Sequence, residues 1–288
     1  MPVLPLLLVL AAAVAHASWN IIAHGTSSSG PAFLWWGSLI GAAVWSIAIP
    51  FTGGWGTDDL AGVLLGAAVS AVLHVGYFVL LQNGYAAGDL STVYAIARGT
   101  GPLLTVLLAV LLLGEHLSML AVVGVLAVVA GIVAIGFIDR GSRPAMRGPD
   151  RAVVFGLLTG VGIAAYTVWD TFAIRNWGIS PVAYMVGCSL LEVPIISAML
   201  LRRRHAVLLA VWRLQWRRIV LFGVLAPLSY VLVLTAITMA PVALVAPVRE
   251  VSVLLVSLFG AFVLKEARPG RRLIASAIVV LGVVLLAV

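Results

Sequence analysis

Residues 95–117, AIARGTGPLLTVLLAVLLLGEHL, are matched 151 residues later by residues 246–268, APVREVSVLLVSLFGAFVLKEAR. In both stretches an arginine, Arg98 or Arg249, precedes a long apolar run that ends at a glutamate, Glu115 or Glu266. Charged residues are scarce in this sequence, because they make up only 9% of the chain. Their recurrence at a single spacing predicts that the sequence contains an internal duplication.

The duplication extends to the start of each copy, where the shift is 150 residues. The matched residues are Trp19 and Trp169, Asn20 and Asp170, Ala23 and Ala173, and Pro31 and Pro181. Tryptophan and proline are scarce in a background of leucine, valine and alanine, so their alignment within one residue of the same shift is not expected by chance.

The composition indicates a membrane protein. The 288 residues are 63% hydrophobic and 9% charged, whereas soluble domains contain about 25% charged residues, so a soluble globular enzyme is excluded. Apolar runs of roughly 20 residues recur, each long enough to cross a hydrocarbon layer about 30 Å thick. The ten predicted spans are about Val3 to Ala23, Pro31 to Phe51, Leu60 to Gln82, Asp89 to Leu113, Leu117 to Ile138, Ala152 to Ile174, Pro181 to Leu201, Ile219 to Met239, Val242 to Leu264 and Leu273 to Val288.

These spans predict an all-α membrane protein whose ten transmembrane helices form two inverted five-helix repeats. The first repeat covers residues 1–138, a basic connecting loop covers 139–151, and the second repeat covers 152–288. Because five is an odd number, the second copy enters the membrane upside down. Inverted repeats build transporters that bind substrate at the midplane and work by alternating access.

The first span has an alternative interpretation as a cleaved leader. It ends in Ala15-His16-Ala17-Ser18, which has the spacing of small residues found at signal-peptidase sites. No basic residue precedes the run, as a signal peptide would normally require, and Trp19-Asn20 belongs to the repeat. We therefore expect this helix to remain in the mature protein.

The end of the fourth predicted helix, residues 111–118 (LLLGEHLS), and the glycines Gly124 and Gly131 resemble the fourth and fifth helices of EamA-type drug/metabolite transporters. The second copy repeats the motif more loosely, with a lysine in place of its glycine. Its matching residues are Leu264-Lys265-Glu266, Ala275 and Gly282. The resemblance covers nearly the whole chain and implies a drug/metabolite transporter built from two five-helix copies.

The basic residues predict the orientation. The connections after spans five, seven and nine lie on one side of the membrane and hold 14 of the 17 basic residues, whereas the connections on the other side hold only Arg175. The positive-inside rule then places both termini outside the cytoplasm in a multi-pass plasma (inner) membrane protein. Several branches of the superfamily that this sequence resembles have cytosolic termini. The predicted orientation therefore depends on the charge distribution alone.

Two arginines are predicted inside the membrane. Arg98 lies about nine residues into the fourth span, hence about 14 Å deep, and Arg249 lies about seven residues into the ninth. Each costs at least about 2.5 to 3.5 kcal/mol on insertion scales, so an acidic partner is expected. In one interpretation they only pair with intramembrane carboxylates and hold helices together. In the other, at least one of them binds an anionic substrate group through its planar bidentate donors.

Further polar residues within the spans are candidates for substrate contact or ion coupling. Burial disfavours the charged form of a carboxyl group, which suits proton coupling. The candidate coupling residues are Asp170, Glu192 and Glu250. The candidate substrate contacts, besides the two arginines, are His16, Asn20, His74, Tyr94 and Trp169. Ion pairs, backbone-bonded histidines and ordinary packing of aromatic rings are the structural alternatives for these residues.

Residues near span ends are expected to face the headgroup layer. Glu115 and Glu266 are expected to be solvated, and the basic segment 202–218 is expected to lie along the cytoplasmic surface against anionic lipid. Membrane-belt anchoring is the expected role of Trp35, Trp36, Trp55, Trp177, Trp212 and Trp216. Pairs of small residues such as Gly37 and Gly41 are expected to allow close helix packing.

The predicted function is secondary active transport of a small polar or anionic organic metabolite. Efflux of cationic hydrophobic compounds and lipid flipping are the alternatives. An enzyme is disfavoured, because the sequence contains no nucleophile motif and no His-Glu-x-x-His stretch. No metal or other cofactor is expected, since the one cysteine is Cys188 and no Cys/His cluster exists. The expected partners are the metabolite and membrane lipid, not nucleic acid, and the oligomeric state is undetermined.

Overall fold

The computed structural model describes residues 1–23, 30–87, 90–140, 151–200, 204–262 and 269–287. Within these ranges the chain is helical and contains no strand. The helices are α1 Val3–Ala23, α2 Gly30–Ser46, α3 Leu60–Ala87, α4 Leu90–Leu112, α5 Met119–Arg140, α6 Arg151–Trp177, α7 Pro181–Met199, α8 Arg204–Ile237, α9 Val242–Arg249, α10 Val251–Phe262 and α11 Pro269–Ala287.

The helices α1 to α8 each form one span, α9 and α10 together form the ninth, and α11 forms the tenth. Five of the described helices, α1, α3, α6, α7 and α8, are long and apolar enough to cross a membrane by themselves. Large apolar side chains lie exposed on the outside, such as Leu64, Val72 and Leu111, which are 63%, 60% and 67% exposed. An apolar exterior of this extent is suited to lipid, and the predicted all-α membrane fold is confirmed.

The packing of the helices repeats between the two halves. Helix α1 packs on α8, and the corresponding helix of the second copy, α6, packs on α3. The equivalent helices α2 and α7 pack on each other, and so do α5 and α11. This exchange of partners is expected for two copies related by a two-fold axis, and it agrees with the predicted inverted repeat.

The α5–α11 contact shows the symmetry at the level of single residues. A Cβ added to Gly124 would lie 2.9 Å from the carbonyl oxygen of Gly282, and one added to Gly131 would lie 2.9 Å from that of Ala275. With a shift of 151 residues, Gly124 of the first copy corresponds to Ala275 of the second, and Gly131 corresponds to Gly282. The same contact therefore occurs twice, and the glycines are needed because backbone lies against backbone.

Helix α8 begins earlier than the sequence predicts, at Arg204 instead of near Ile219. Its backbone leaves the helical region at Gln215 (φ −134°, ψ 16°), so residues 204–214 form a separate helical segment before the span. This segment is attached to α2, because the indole N–H of Trp36 donates to the carbonyl oxygen of Leu208 at 2.9 Å. Trp212 also packs on Trp36, with ring centroids 4.7 Å apart.

The expectation that Glu115 is solvated is wrong. Its side chain is only 7% exposed and accepts a hydrogen bond from Nη1 of Arg175 at 2.7 Å. It also accepts from the backbone N–H groups of Val242 and Ala243, at 2.8 and 2.9 Å, and so caps the N-terminus of α9. The matching Glu266 lies outside the described residues.

Candidate functional site

The first polar cluster lies where α4 of the first copy meets α9 of the second. Nη1 of Arg98 lies 3.4 Å from both carboxylate oxygens of Glu250. Nε and Nη2 of Arg249 lie 3.4 Å from Oε1 of the same residue. Glu250 is 0% exposed, and each arginine is 4% exposed. The structure therefore brings the two repeat-related arginines together around one buried carboxylate.

The carboxylate of Glu250 lies at a break in the ninth span. Helix α9 ends at Arg249 and α10 begins at Val251, so Glu250 lies between two helices. Pro247 has no backbone N–H, which weakens the α-helix at this point. The N–H of Glu250 instead bonds to the nearer carbonyl oxygens of Pro247 and Val248, which closes a tighter turn. The arginine and the glutamate therefore both lie at the junction.

His16 of α1 completes the cluster. Its Nε2 lies 2.9 Å from Nη2 of Arg98. Because a guanidinium group only donates hydrogen bonds, Nε2 of His16 accepts, and the hydrogen of the neutral ring is on Nδ1. The ring also packs edge-on against Trp19, with centroids 4.7 Å apart. Three helices from both copies therefore meet at this cluster.

Among the described residues, the charges of this cluster are unequal. Two guanidinium groups face the single carboxylate of Glu250, and the 3.4 Å separations are longer than the roughly 2.7–2.9 Å of tight charge-assisted hydrogen bonds. The other two intramembrane carboxylates, Asp170 and Glu192, accept hydrogen bonds from hydroxyl groups of Tyr184 and Ser38, respectively. A buried group of this composition is suited to binding a second anion.

The second polar cluster surrounds Asp170 of α6, whose side chain is 0% exposed. The hydroxyl of Tyr184, on α7, donates to Oδ1 of Asp170 at 2.7 Å. The hydroxyl of Tyr230, on α8, donates to Oδ2. Nε2 of His74, on α3, lies 4.0 Å from Oδ2. Helices of both copies therefore supply the surroundings of this carboxyl group.

His74 is held on two sides. Its Nδ1 lies 3.1 Å from the hydroxyl of Ser70 and 3.0 Å from the Ser70 carbonyl oxygen, one helical turn earlier. Its ring stacks on Tyr166, with centroids 4.2 Å apart and an angle of 26° between the planes. These contacts point Nε2 towards Asp170.

Aromatic side chains connect the two clusters. Tyr166 and Tyr230 are close enough to Arg249 to interact with it electrostatically, and both lie beside His74. A shift of 150 residues matches Tyr166 with His16, so each arginine is approached by a ring from the same position of its copy. The arginine cluster and the aspartate cluster therefore form one buried polar region.

The remaining predicted site residues occupy different places. Glu192 accepts a hydrogen bond from Ser38 of α2 at 2.6 Å and lies within electrostatic range of His74 and Asp170. Asn20 donates to the backbone carbonyl of His16 at 2.8 Å, within α1. The side chain of Tyr94 lies outside the described residues.

Trp169 does not reach either cluster through its indole N–H, which donates to the carbonyl oxygen of Gly66 at 3.0 Å. The ring packs near Phe172 and Trp177, with centroids 5.9 Å away in both cases. The hydrogen bond to Gly66 holds α6 against α3 beside the aspartate cluster, whereas both ring contacts lie within α6.

Two residues of the aspartate cluster were not predicted from the sequence, namely Tyr184 and Tyr230. They lie on different helices, and no spacing relates either of them to Asp170. Among the described residues, no group of three or more His, Cys, Asp or Glu side chains is arranged to hold a metal ion.

Comparison with known proteins supports the fold and the duplication. The chain is 31% identical over 97 residues to the multidrug resistance protein EbrB of Bacillus subtilis (strain 168), a match that covers 34% of this chain and 74% of EbrB. A crystal structure of a protein 20% identical to this one has the same fold, with a TM-score of 0.74 over 98% of this chain and 95% of that chain. Residues 3–137 and 150–288 each match one family of transporters. The chain therefore belongs to the EamA-like transporter family.

Proposed function

We propose that this membrane transporter is a secondary active transporter for a small anionic or polar organic metabolite. The observation that carries the proposal is the convergence of Arg98 and Arg249, one from each inverted copy, on the single carboxylate of Glu250. A carboxylate or phosphate group of the substrate would bind between the two guanidinium groups and displace Glu250.

Neighbouring groups support an anion at this place. The indole N–H of Trp19 is buried and has no hydrogen-bond partner among the described residues. Trp19 lies beside His16, which contacts Arg98. A substrate oxygen that entered the cluster would give this N–H an acceptor, which removes the free-energy penalty of an unsatisfied buried donor.

The inverted packing supports alternating access as the mechanism. The site lies at the junction of α4, α9 and α1, where both copies contribute, and the helix partners of the two copies are equivalent. An exchange of conformations between the copies would open the site to one side and then the other. The basic connections place both termini outside the cytoplasm in this proposal.

The test is anion binding and uptake by the purified protein in liposomes. Benzoate, succinate and glycerol 3-phosphate serve as probes, and a probe that binds the native state raises the unfolding temperature. We expect Arg98→Ala and Arg249→Ala to weaken binding and uptake of the active probe about 10- to 100-fold, as for loss of a charged hydrogen bond. The control is Arg213→Ala, an exposed arginine distant from the span centres. Equal activity in all variants would refute an anion site at these arginines.

Efflux of a cationic hydrophobic compound is the second candidate. Asp170 lies next to the rings of Tyr230 and His74, and carboxylates flanked by aromatic rings suit organic cations. The partial similarity to EbrB favours the same function. Tetraphenylphosphonium transport that is lost in Asp170→Asn but kept in Arg98→Ala and Arg249→Ala would establish cation efflux in place of anion transport.

A further inference from the structure

The hydrogen bonds around Asp170 are complete whether or not its carboxyl group carries a proton. The hydroxyl of Tyr184 has one hydrogen and two acceptors within reach, Oδ1 of Asp170 at 2.7 Å and the carbonyl oxygen of Gly66 at 3.1 Å. When Asp170 is ionised, Tyr184 donates to Oδ1. When Oδ1 is protonated, it donates to the Tyr184 oxygen, and Tyr184 donates to Gly66.

Neither state leaves a buried polar group unsatisfied. The carbonyl oxygen of Gly66 also accepts from Trp169 at 3.0 Å, so it keeps one hydrogen bond when Tyr184 turns towards Asp170. Oδ2 accepts from Tyr230 in both states. Because an unsatisfied buried group costs about 1–3 kcal/mol, a group that is satisfied in both states changes its protonation without that penalty.

His74 faces Asp170 with Nε2, because Nδ1 faces Ser70. Nδ1 lies 3.0 Å from the Ser70 carbonyl oxygen and 3.1 Å from the Ser70 hydroxyl, so it donates to the carbonyl when it carries the ring hydrogen and accepts from the hydroxyl when it does not. Nε2 lies 4.0 Å from Oδ2 of Asp170. In the described part of the chain Asp170 forms no ion pair with an arginine or lysine, so a proton is the cation that its position favours.

The titratable and charged groups near Asp170 lie on five helices. They are His74 of α3, Tyr184, Cys188 and Glu192 of α7, Tyr230 of α8, Tyr166 of α6 itself and Arg249 of α9. Cys188 and the tyrosines gain charge only by losing a proton. Asp170 and Glu192 are therefore the two groups between which a proton would be shared.

We propose that Asp170 is a proton-binding site whose occupancy is linked to the anion bound between Arg98 and Arg249. The linkage rests on the proposed anion transport. An ionised Asp170 places a negative charge one aromatic residue away from Arg249, through Tyr230. Protonation removes that charge and strengthens anion binding, and by reciprocity the anion strengthens proton binding. Proton and anion therefore cross the membrane together in the same direction.

The proton site is tested without any substrate by infrared spectroscopy of the protein in lipid nanodiscs across a pH series. The probe is the carbonyl stretch of a protonated carboxyl group. We expect a band that disappears as the pH rises, that is absent from Asp170→Asn and that is kept by the control Asp58→Asn, which changes an exposed carboxyl group before α3. A band of wild-type size in Asp170→Asn, or its loss only in Glu192→Gln, would overturn the assignment to Asp170.

A second variant keeps this test decisive if Asp170→Asn does not fold. Tyr184→Phe removes the hydroxyl that exchanges between Asp170 and Gly66 but leaves the carboxyl group in place. We expect the pH at which the band disappears to change in Tyr184→Phe and to stay constant in Asp58→Asn. An unchanged titration in Tyr184→Phe would contradict the role of Tyr184 in holding both states.

The linkage is tested by proton release and uptake in a weakly buffered solution with a pH dye. On addition of benzoate we expect the wild-type protein to take up protons and Asp170→Asn to bind benzoate without taking them up. Equal proton uptake by both proteins would refute the linkage. If the wild-type protein binds none of the anionic probes, the proposed anion transport fails, while the infrared titration still decides the proton site.

Discussion

Glu250 accepts hydrogen bonds from both Arg98 and Arg249, so its neutralisation leaves two buried guanidinium groups facing each other. Removal of one partner from a buried ion pair costs about 3–5 kcal/mol. We expect Glu250→Gln to lower the free energy of unfolding by about this amount, as measured by denaturant titration. Glu192→Gln is the control, because Glu192 pairs with the hydroxyl of Ser38 and its loss should cost only about 1 kcal/mol. Equal losses in the free energy of unfolding of the two variants would contradict a larger contribution of the ion cluster to stability.

At this scale the sequence could predict the arginines but not their full surroundings. Arg98 and Arg249 recur at one shift, and their depth in two oppositely directed spans brings them to the same level. Tyr184 and Tyr230 share no pattern with Asp170, and they meet it only because α7 and α8 pack beside α6. The partners of a buried carboxyl group depend on packing between distant helices, which one sequence does not encode locally.

Helix α9 is short, and Glu115 fixes where it starts. The carboxylate of Glu115 caps two backbone N–H groups of α9 and pairs with Arg175, which also donates to the carbonyl oxygens of Ile237 and Ala240 at the end of α8. We therefore expect Glu115→Ala to lower the free energy of unfolding by about 2–4 kcal/mol, because it removes the helix cap and the carboxylate partner of Arg175. Amide hydrogen exchange at Val242 and Ala243 should become faster.

The control for this helix cap is Asp59→Ala. Asp59 is exposed and accepts one backbone hydrogen bond, from the N–H of Gly62 at 2.9 Å, so its loss should cost only about 1 kcal/mol. Unchanged amide exchange at the start of α9 in Glu115→Ala would contradict the capping role. The apolar runs predicted the existence of the spans, but the cap on α9 comes from a residue 127 positions earlier, so hydropathy alone suggested a solvated glutamate.

For the molecule as a whole, the two copies are joined at equivalent glycines of α5 and α11. The contact of Gly131 with Ala275 and the contact of Gly282 with Gly124 are related by the same shift. A methyl group at Gly131 would lie 2.9 Å from the Ala275 carbonyl oxygen, and one at Gly282 would lie 2.7 Å from the Gly124 carbonyl oxygen. Because backbone cannot yield as a flexible side chain can, each substitution forces the two helices apart.

We therefore expect Gly131→Ala and Gly282→Ala to lower the free energy of unfolding by similar amounts, about 1–3 kcal/mol each, in a denaturant titration. Gly76→Ala is the matched control, because a Cβ at Gly76 of α3 meets nothing within 4 Å. Gly76→Ala should leave the free energy of unfolding unchanged or raise it, since alanine stabilises a helix by up to about 1 kcal/mol relative to glycine. A large loss from Gly131→Ala together with none from Gly282→Ala would contradict the equivalence of the two contacts.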